Sequence, residues 1–88
     1  MFYVGEKFRF YVNIYDRNNN LYSPSTVTIT VKVGDTEKVS NATMTEESTG
    51  VFYYDITFDE EGDYDVIVKA DTGEIIQIEK TTLHVTTP

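Results

Sequence analysis

The chain has 88 residues, 40% of them hydrophobic and 14% aromatic, with no cysteine and a formal net charge of -8. A length of this order makes one domain, spanning 1–88, which buries only about 60 to 65% of the surface its unfolded form exposes. Without cysteine it has no disulfide and no Cys-ligated zinc, so the core and the strand hydrogen bonds must hold it alone.

Fifteen acidic residues against seven basic ones repel phosphates and anionic lipid heads, so no nucleic-acid partner is expected. The acidic balance reads as a solvated surface that resists aggregation. No apolar run approaches the ~18 residues that span a bilayer, so no membrane insertion is expected. The N-terminus lacks the basic start and apolar stretch of a signal peptide, which leaves a cytosolic chain or a module cut from a longer precursor. Met1 reads as an expression start, and Thr86-Thr87-Pro88 as the beginning of a linker.

In chain order, Phe2, Tyr3 and Val4 before Gly5 make a short opening strand. Residues 7–15 alternate, with Phe8, Phe10, Val12 and Ile14 on one face and Lys7, Arg9 and Asn13 on the other, which predicts a half-buried strand. Asp16-Arg17-Asn18-Asn19-Asn20 tolerates left-handed backbone and makes side-chain turns, and Ser23-Pro24-Ser25 blocks a helix, so this segment is a loop. Residues 26–33 alternate again, Val27, Ile29, Val31 and Val33 inward against threonines and Lys32 outward. Gly34-Asp35 predicts a tight turn into a weaker strand over 37–44, polar enough to suit a short edge position.

Residues 45–50 read as a polar connection, followed by a strand over 51–58 that buries Phe52, Tyr54, Ile56 and Phe58. After Glu61-Gly62, the residues Tyr64, Val66, Val68 and Ala70 share one face. Asp71-Thr72-Gly73 then turns the chain into a last segment from 74 to 86, where Ile76 with Ile78 and Leu83 with Val85 predict an interrupted strand. About seven short strands, sandwich-like turn spacing and no period of 3.6 predict an all-β fold, a two-sheet antiparallel sandwich. No internal repeat is present.

The segment from Glu60 to Val68 resembles the corner of immunoglobulin-like sandwiches, with an acidic turn, Gly62, and Tyr64 heading a strand. In that resemblance the Tyr64 hydroxyl reaches back to a backbone group near the turn. Val66 stands where antibody-type domains carry cysteine, so the likeness is to disulfide-free members. The wider pattern resembles macroglobulin-type and bacterial or archaeal surface Ig-like modules. It comprises Tyr3-Val4-Gly5-Glu6, Pro24 before the strand of Val27 to Val33, Thr49-Gly50-Val51-Phe52, Glu61-Gly62-Asp63-Tyr64 and Leu83-His84-Val85.

Little in the chain carries chemistry. Nucleophilic catalysis needs a base, and the one histidine, His84, sits in a terminal strand on the face opposite Leu83 and Val85. Asp59, Glu60, Glu61, Asp63 and Asp65 crowd one end, but no evident cleft desolvates one carboxyl to separate an acid from a base. Asp16, Asn18 and Asn20 fall at the one, three, five spacing of calcium-loop oxygens, the only weak metal candidates. Against that, Leu21 stands where the loop wants glycine and Val27 where it wants the bidentate glutamate. Two readings stay open there: a hydrogen-bonded turn, or a different calcium site joining this loop to the acidic corner.

Asn41-Ala42-Thr43 is a glycosylation sequon. Tyr11, Tyr15 and Tyr53 are expected outward, either as a partner-facing or carbohydrate-facing patch or as cross-strand pairs that stabilise the sheet. No cofactor is expected.

The composition and the resemblance together imply a non-catalytic structural or spacer module of a cell-surface, filament or virion protein, extracellular or on the cell surface. Its expected partners are neighbouring domains of the same or an identical chain. The alternative is a binding or adhesion module that recognises a protein, glycan or cation through its end loops.

Overall fold

The alternating segments become eight β-strands among the described residues of the computed structural model, which are 1–73 and 75–88. They are β1 (Phe2–Tyr3), β2 (Lys7–Asn13), β3 (Thr26–Val33), β4 (Thr36–Thr43), β5 (Thr45–Ser48), β6 (Val51–Thr57), β7 (Gly62–Asp71) and β8 (Ile76–Thr86). Two sheets stack face to face: a five-stranded one ordered β1-β8-β7-β3-β4 and a three-stranded one ordered β2-β6-β5. All pairings are antiparallel except β1 with β8, where Phe2 faces Val85 and Tyr3 faces Thr86 in parallel.

Strands β2, β3, β6 and β7 send their predicted apolar faces into the space between the sheets. Val27, Ile29 and Val31 from β3, Tyr64, Val66, Val68 and Ala70 from β7, and Phe52 and Ile56 from β6 are buried. Val12, Ile14, Phe58 and Val85 complete the layer, while Phe8 and Phe10 pack against it half-buried. No polar or charged residue is buried among the described residues. Each fully buried branched or aromatic side chain contributes about 1.5–3 kcal/mol relative to exposure, and this is the main term that offsets chain entropy.

The fourth strand decides the topology. β4 turns back from β3 through the two-residue link Gly34-Asp35, with Val33 opposite Thr36, and stays in the same sheet as its edge. It runs as long as β3, so the short edge strand expected from its polar content is corrected to a full-length one. The chain then crosses to the other sheet at Met44, whose side chain is buried and whose backbone N–H donates to the Val27 carbonyl at 2.9 Å.

Residues expected to be a polar connection form the exposed edge strand β5, paired to β6 through Thr45 opposite Tyr53 and Glu46 opposite Phe52. Polar side chains are no obstacle there, because only the backbone of an edge strand is held in place. The final strand is continuous from Ile76 to Thr86, in unbroken register with β7 from Gly62 opposite Val85 to Asp71 opposite Ile76. The interruption predicted from its isoleucines is therefore absent: Ile76 and Ile78 lie on the outer face, 54% and 69% exposed. The predicted start of that segment at Glu74 lies outside the described residues.

Ile29, at the centre of β3 and wholly inaccessible, tests this core. Ile29→Ala should lower unfolding stability by about 2–5 kcal/mol in urea titrations, through lost transfer energy and a residual cavity. The same truncation at exposed Ile76 should stay within about 0.5 kcal/mol.

Candidate functional site

The two ends of the sandwich differ in character. At the corner end, the Tyr64 ring is fully buried and meets Phe58 edge-on, ring centres 5.1 Å apart. Its hydroxyl donates to the Glu60 carbonyl at 2.9 Å and accepts the Glu60 N–H at 3.2 Å, four residues back. Gly62 holds φ at +139°, and a Cβ there would stand 3.2 Å from Val33 Cγ1, so the bend leaves little room for a side chain.

Lys38 on β4 reaches over this bend to Glu60 at 3.1 Å and Asp59 at 3.4 Å. The Glu60 hydrogen bond raises the lysine pKa. Partial desolvation pushes Asp59 up, but the hydrogen bond and charge of Lys38 outweigh it and leave Asp59 low. His84 is here too, exposed, with Nδ1 2.6 Å from Asp63 Oδ1. The acidic corner is thus a set of local ties.

At the opposite end, the chain leaving β2 folds over as a loop. Ile14 is buried, donating its N–H to the Gly50 carbonyl at 2.8 Å and accepting the Tyr22 N–H at 2.9 Å. Gly50, with φ at +77°, fits because a Cβ would lie 2.6 Å from the Tyr22 nitrogen. Ser23 hydrogen-bonds to Glu46 and accepts the Gly50 N–H, which ties the loop to the β5–β6 turn.

Asp16, Asn18 and Asn20 share this loop, closed by the Tyr15–Leu21 bridge. Asp16 Oδ1 accepts the backbone N–H of Asn18 at 2.8 Å and of Asn20 at 3.1 Å, and Asn19 takes the left-handed φ of 62°. This is the side-chain turn that the residue types favour. The acidic corner lies at the other end of β2, since Lys7 pairs with Thr57 and Asn13 with Val51. Seven strand residues, roughly 20 Å, separate the two. A calcium site joining them is therefore ruled out by the topology. No group of three or more His, Cys, Asp or Glu that could hold a metal occurs among the described residues.

Between this loop and the β7–β8 turn opens a cleft of about 430 Å³. Buried Ile14 and Ala70 form its floor, Tyr15, Tyr22 and Ile75 its walls, and Arg17, Asn18 and Gln77 its polar rim. Tyr15, Tyr22 and Ile75 are exposed at 47%, 37% and 49%. An apolar floor with a few polar groups at the mouth suits binding. The cleft runs into a lateral groove between β2 and β8, lined by Asn13, Val68 and Glu79 and then by Phe10, Tyr11 and Thr81.

Of these residues the sequence pointed to Tyr11 and Tyr15 as a contact patch, to Asp16 and Asn18 in another role, and to Ile14 and Ala70 as core. Tyr22, Ile75 and Gln77 were not among them because they converge from the loop after β2 and from the start of β8, far apart in the chain. The signal available was the pair Ile75-Ile76, which cannot both face inward from one strand.

The outer face of the small sheet holds the other predicted tyrosines. Tyr11 and Tyr53 are directly opposed across β2 and β6, rings 5.9 Å apart, and Arg9 lies 4.2 Å over the Tyr53 ring. Arg9 Nε donates to Asp55 Oδ1 at 2.8 Å, and that hydrogen bond raises the arginine and lowers the Asp55 carboxyl. Tyr11 donates to Glu47 at 3.1 Å.

Asn41 is exposed, at a bulge in β4 where register with β3 shifts between Ile29 and Val31. Its φ is 46°, its N–H donates to Thr30 Oγ1 at 3.1 Å, and that hydroxyl lies 3.3 Å from Asn41 Oδ1. Asparagine at this position thus has a backbone reason, since it tolerates the left-handed region.

The fold is that of an immunoglobulin-like sandwich. The crystal structure of the Lin-41 filamin domain superposes with a TM-score of 0.72, covering 99% of this chain and 83% of that one, at 20% sequence identity. No family model and no curated protein matches the chain.

Two outcomes follow from these geometries. Tyr64→Phe leaves the Glu60 backbone groups without their partner and should cost about 1–3 kcal/mol in chemical denaturation, with the fold retained. Asp55 and Asp59 titrate lower folded than unfolded, so their contribution is complete above the unfolded value of about 4 and is lost as pH falls through the folded values. Urea midpoints followed by circular dichroism should fall below about pH 4, and Asp55→Asn should flatten that acid limb.

Proposed function

We propose that this domain is a non-catalytic structural module, one immunoglobulin-like link of a cell-surface, filament or virion protein that acts outside the cell and contacts neighbouring domains of its own or an identical chain. The observation that carries the reading is the fold itself. It is an apolar two-sheet core, with ionisable groups engaged in local surface ties, in a body of 42 × 23 × 18 Å. Such a body supplies spacing and stiffness, and its exposed edges supply contacts.

The end cleft favours a second reading, in which the same module recognises a protein or glycan. Exposed Tyr15 and Tyr22 over an apolar floor offer area at low entropy cost, with Arg17, Asn18 and Gln77 placed to orient a polar ligand.

Exchange of the domain, within its parent protein, for an unrelated sandwich of the same length separates the two. If the domain supplies spacing alone, the parent's assembly should survive the exchange; loss of assembly shows that the domain's own surface contacts are required and overturns a role in spacing alone. NMR titration of the isolated domain with a glycan panel should leave the amides of residues 15–22 unshifted if the module is only a spacer. Saturable shifts confined to those residues, abolished by Tyr15→Ala, would establish the second reading.

A further inference from the structure

We propose that the free edge of β8 is a self-association surface, which pairs with the same edge of a second copy in antiparallel register about Ile78. The inference goes beyond the spacer role and does not rest on it.

β1 covers only the end of β8, at Val85 and Thr86. Among the described residues, the outer edge from Ile76 to Thr82 has no strand neighbour. The Thr86 carbonyl bonds outward to the Val4 N–H at 2.9 Å, so by strand alternation Ile76, Ile78, Lys80 and Thr82 also aim their N–H and C=O groups at the open side. The edge is straight-registered and lacks proline, whereas the other edge of this sheet, β4, is broken by two register shifts, and edge strand β5 by one. Bulges blunt an edge against pairing, and β8 has none.

The side chains are compatible with a register centred on Ile78. With Ile78 opposite Ile78 across a two-fold axis, Ile76 faces Lys80 and Gln77 faces Glu79, each twice. The outward backbone groups of Ile76, Ile78 and Lys80 then meet their counterparts in hydrogen-bonded pairs. The exposed isoleucines bury each other on the outer face, and Gln77 donates to Glu79 on the inner one. Shifting the register two places towards the C-terminus sets Glu79 against Glu79, and four places Lys80 against Lys80, both unfavourable. Shifting it two places towards the N-terminus sets Gln77 against Gln77 and gives up the Ile78 pair on the axis.

There is also room for the partner. Gln77 and Glu79 lie on the inner face, like Leu83 and Val85, yet they are exposed. The small sheet therefore stops at β2, short of this half of β8, and leaves the lateral groove open. The opposing influence is long-range, since each copy carries a net charge of -8. Salt screens that repulsion while sparing the contacts.

Sedimentation velocity over a concentration series up to about 1 mM, at about 0.15 and 0.5 M salt, reads the association directly. The expected result is a reversible monomer–dimer equilibrium that tightens with salt. Ile78→Lys opposes two like charges on the axis and should weaken the dimer about tenfold or more, with an unchanged circular dichroism spectrum because the side chain is exposed. Gln77→Lys faces Glu79 of the other copy twice and should tighten the dimer about fivefold. Hydrogen exchange at high concentration should newly protect the amides of Ile76, Ile78 and Lys80. A strictly monomeric domain at both salt concentrations overturns the proposal. So does a dimer indifferent to both variants, or one whose new protection lies on β2 or β5.

Discussion

The apolar layer shared by the two sheets is the constraint on which everything else depends. No covalent bridge and no metal cluster braces the described residues, so each sheet is stable only while the other covers it. Tyr64 closes one end of that layer, its ring against Phe58 and its hydroxyl on the Glu60 backbone. A phenol suits this position because it adds buried area while satisfying the two backbone groups that the bend would otherwise strand.

The path between β3 and β6 sets which surfaces are left over. Because β4 stays with β3 and the chain crosses only at Met44, the large sheet gains a fifth strand and the small one is left with three. The small sheet then cannot cover the far half of β8. The lateral groove, the exposed inner face at Gln77 and Glu79, and the cleft under Tyr15 and Tyr22 all follow from that mismatch in width. In this domain, surfaces available for contact are the remainder of a packing problem.

Charge plays a quieter part. The excess of carboxylates is spread over exposed positions and tied down locally: Asp55 by Arg9, Asp59 and Glu60 by Lys38, and Asp16 by the amides of its own loop. Exposed ties of this kind contribute little each. Their larger effect is to fix loop shapes, as Asp16 does at the cleft mouth.

The sequence by itself determined the all-β class and the inward sets of β2, β3, β6 and β7. Side chains alternate across a strand whatever its partner is, so the positions of Val27, Ile29 and Val31, or of Tyr64, Val66 and Val68, could be assigned from period alone. Period alone places the Tyr64 ring inward, whereas the reach of its hydroxyl back to the turn was expected only from the resemblance to immunoglobulin-like sandwiches. Tertiary structure decided what period cannot encode. Residues 45–48 are polar and carry no apolar face, yet become a strand because β6 offers them backbone partners. Ile76 and Ile78 look like core residues, yet face solvent because the parity of β8 is set at its other end by Val85 and held there by β7. The cleft joins residues distant in the chain, and only the meeting of two separate turns brings them together.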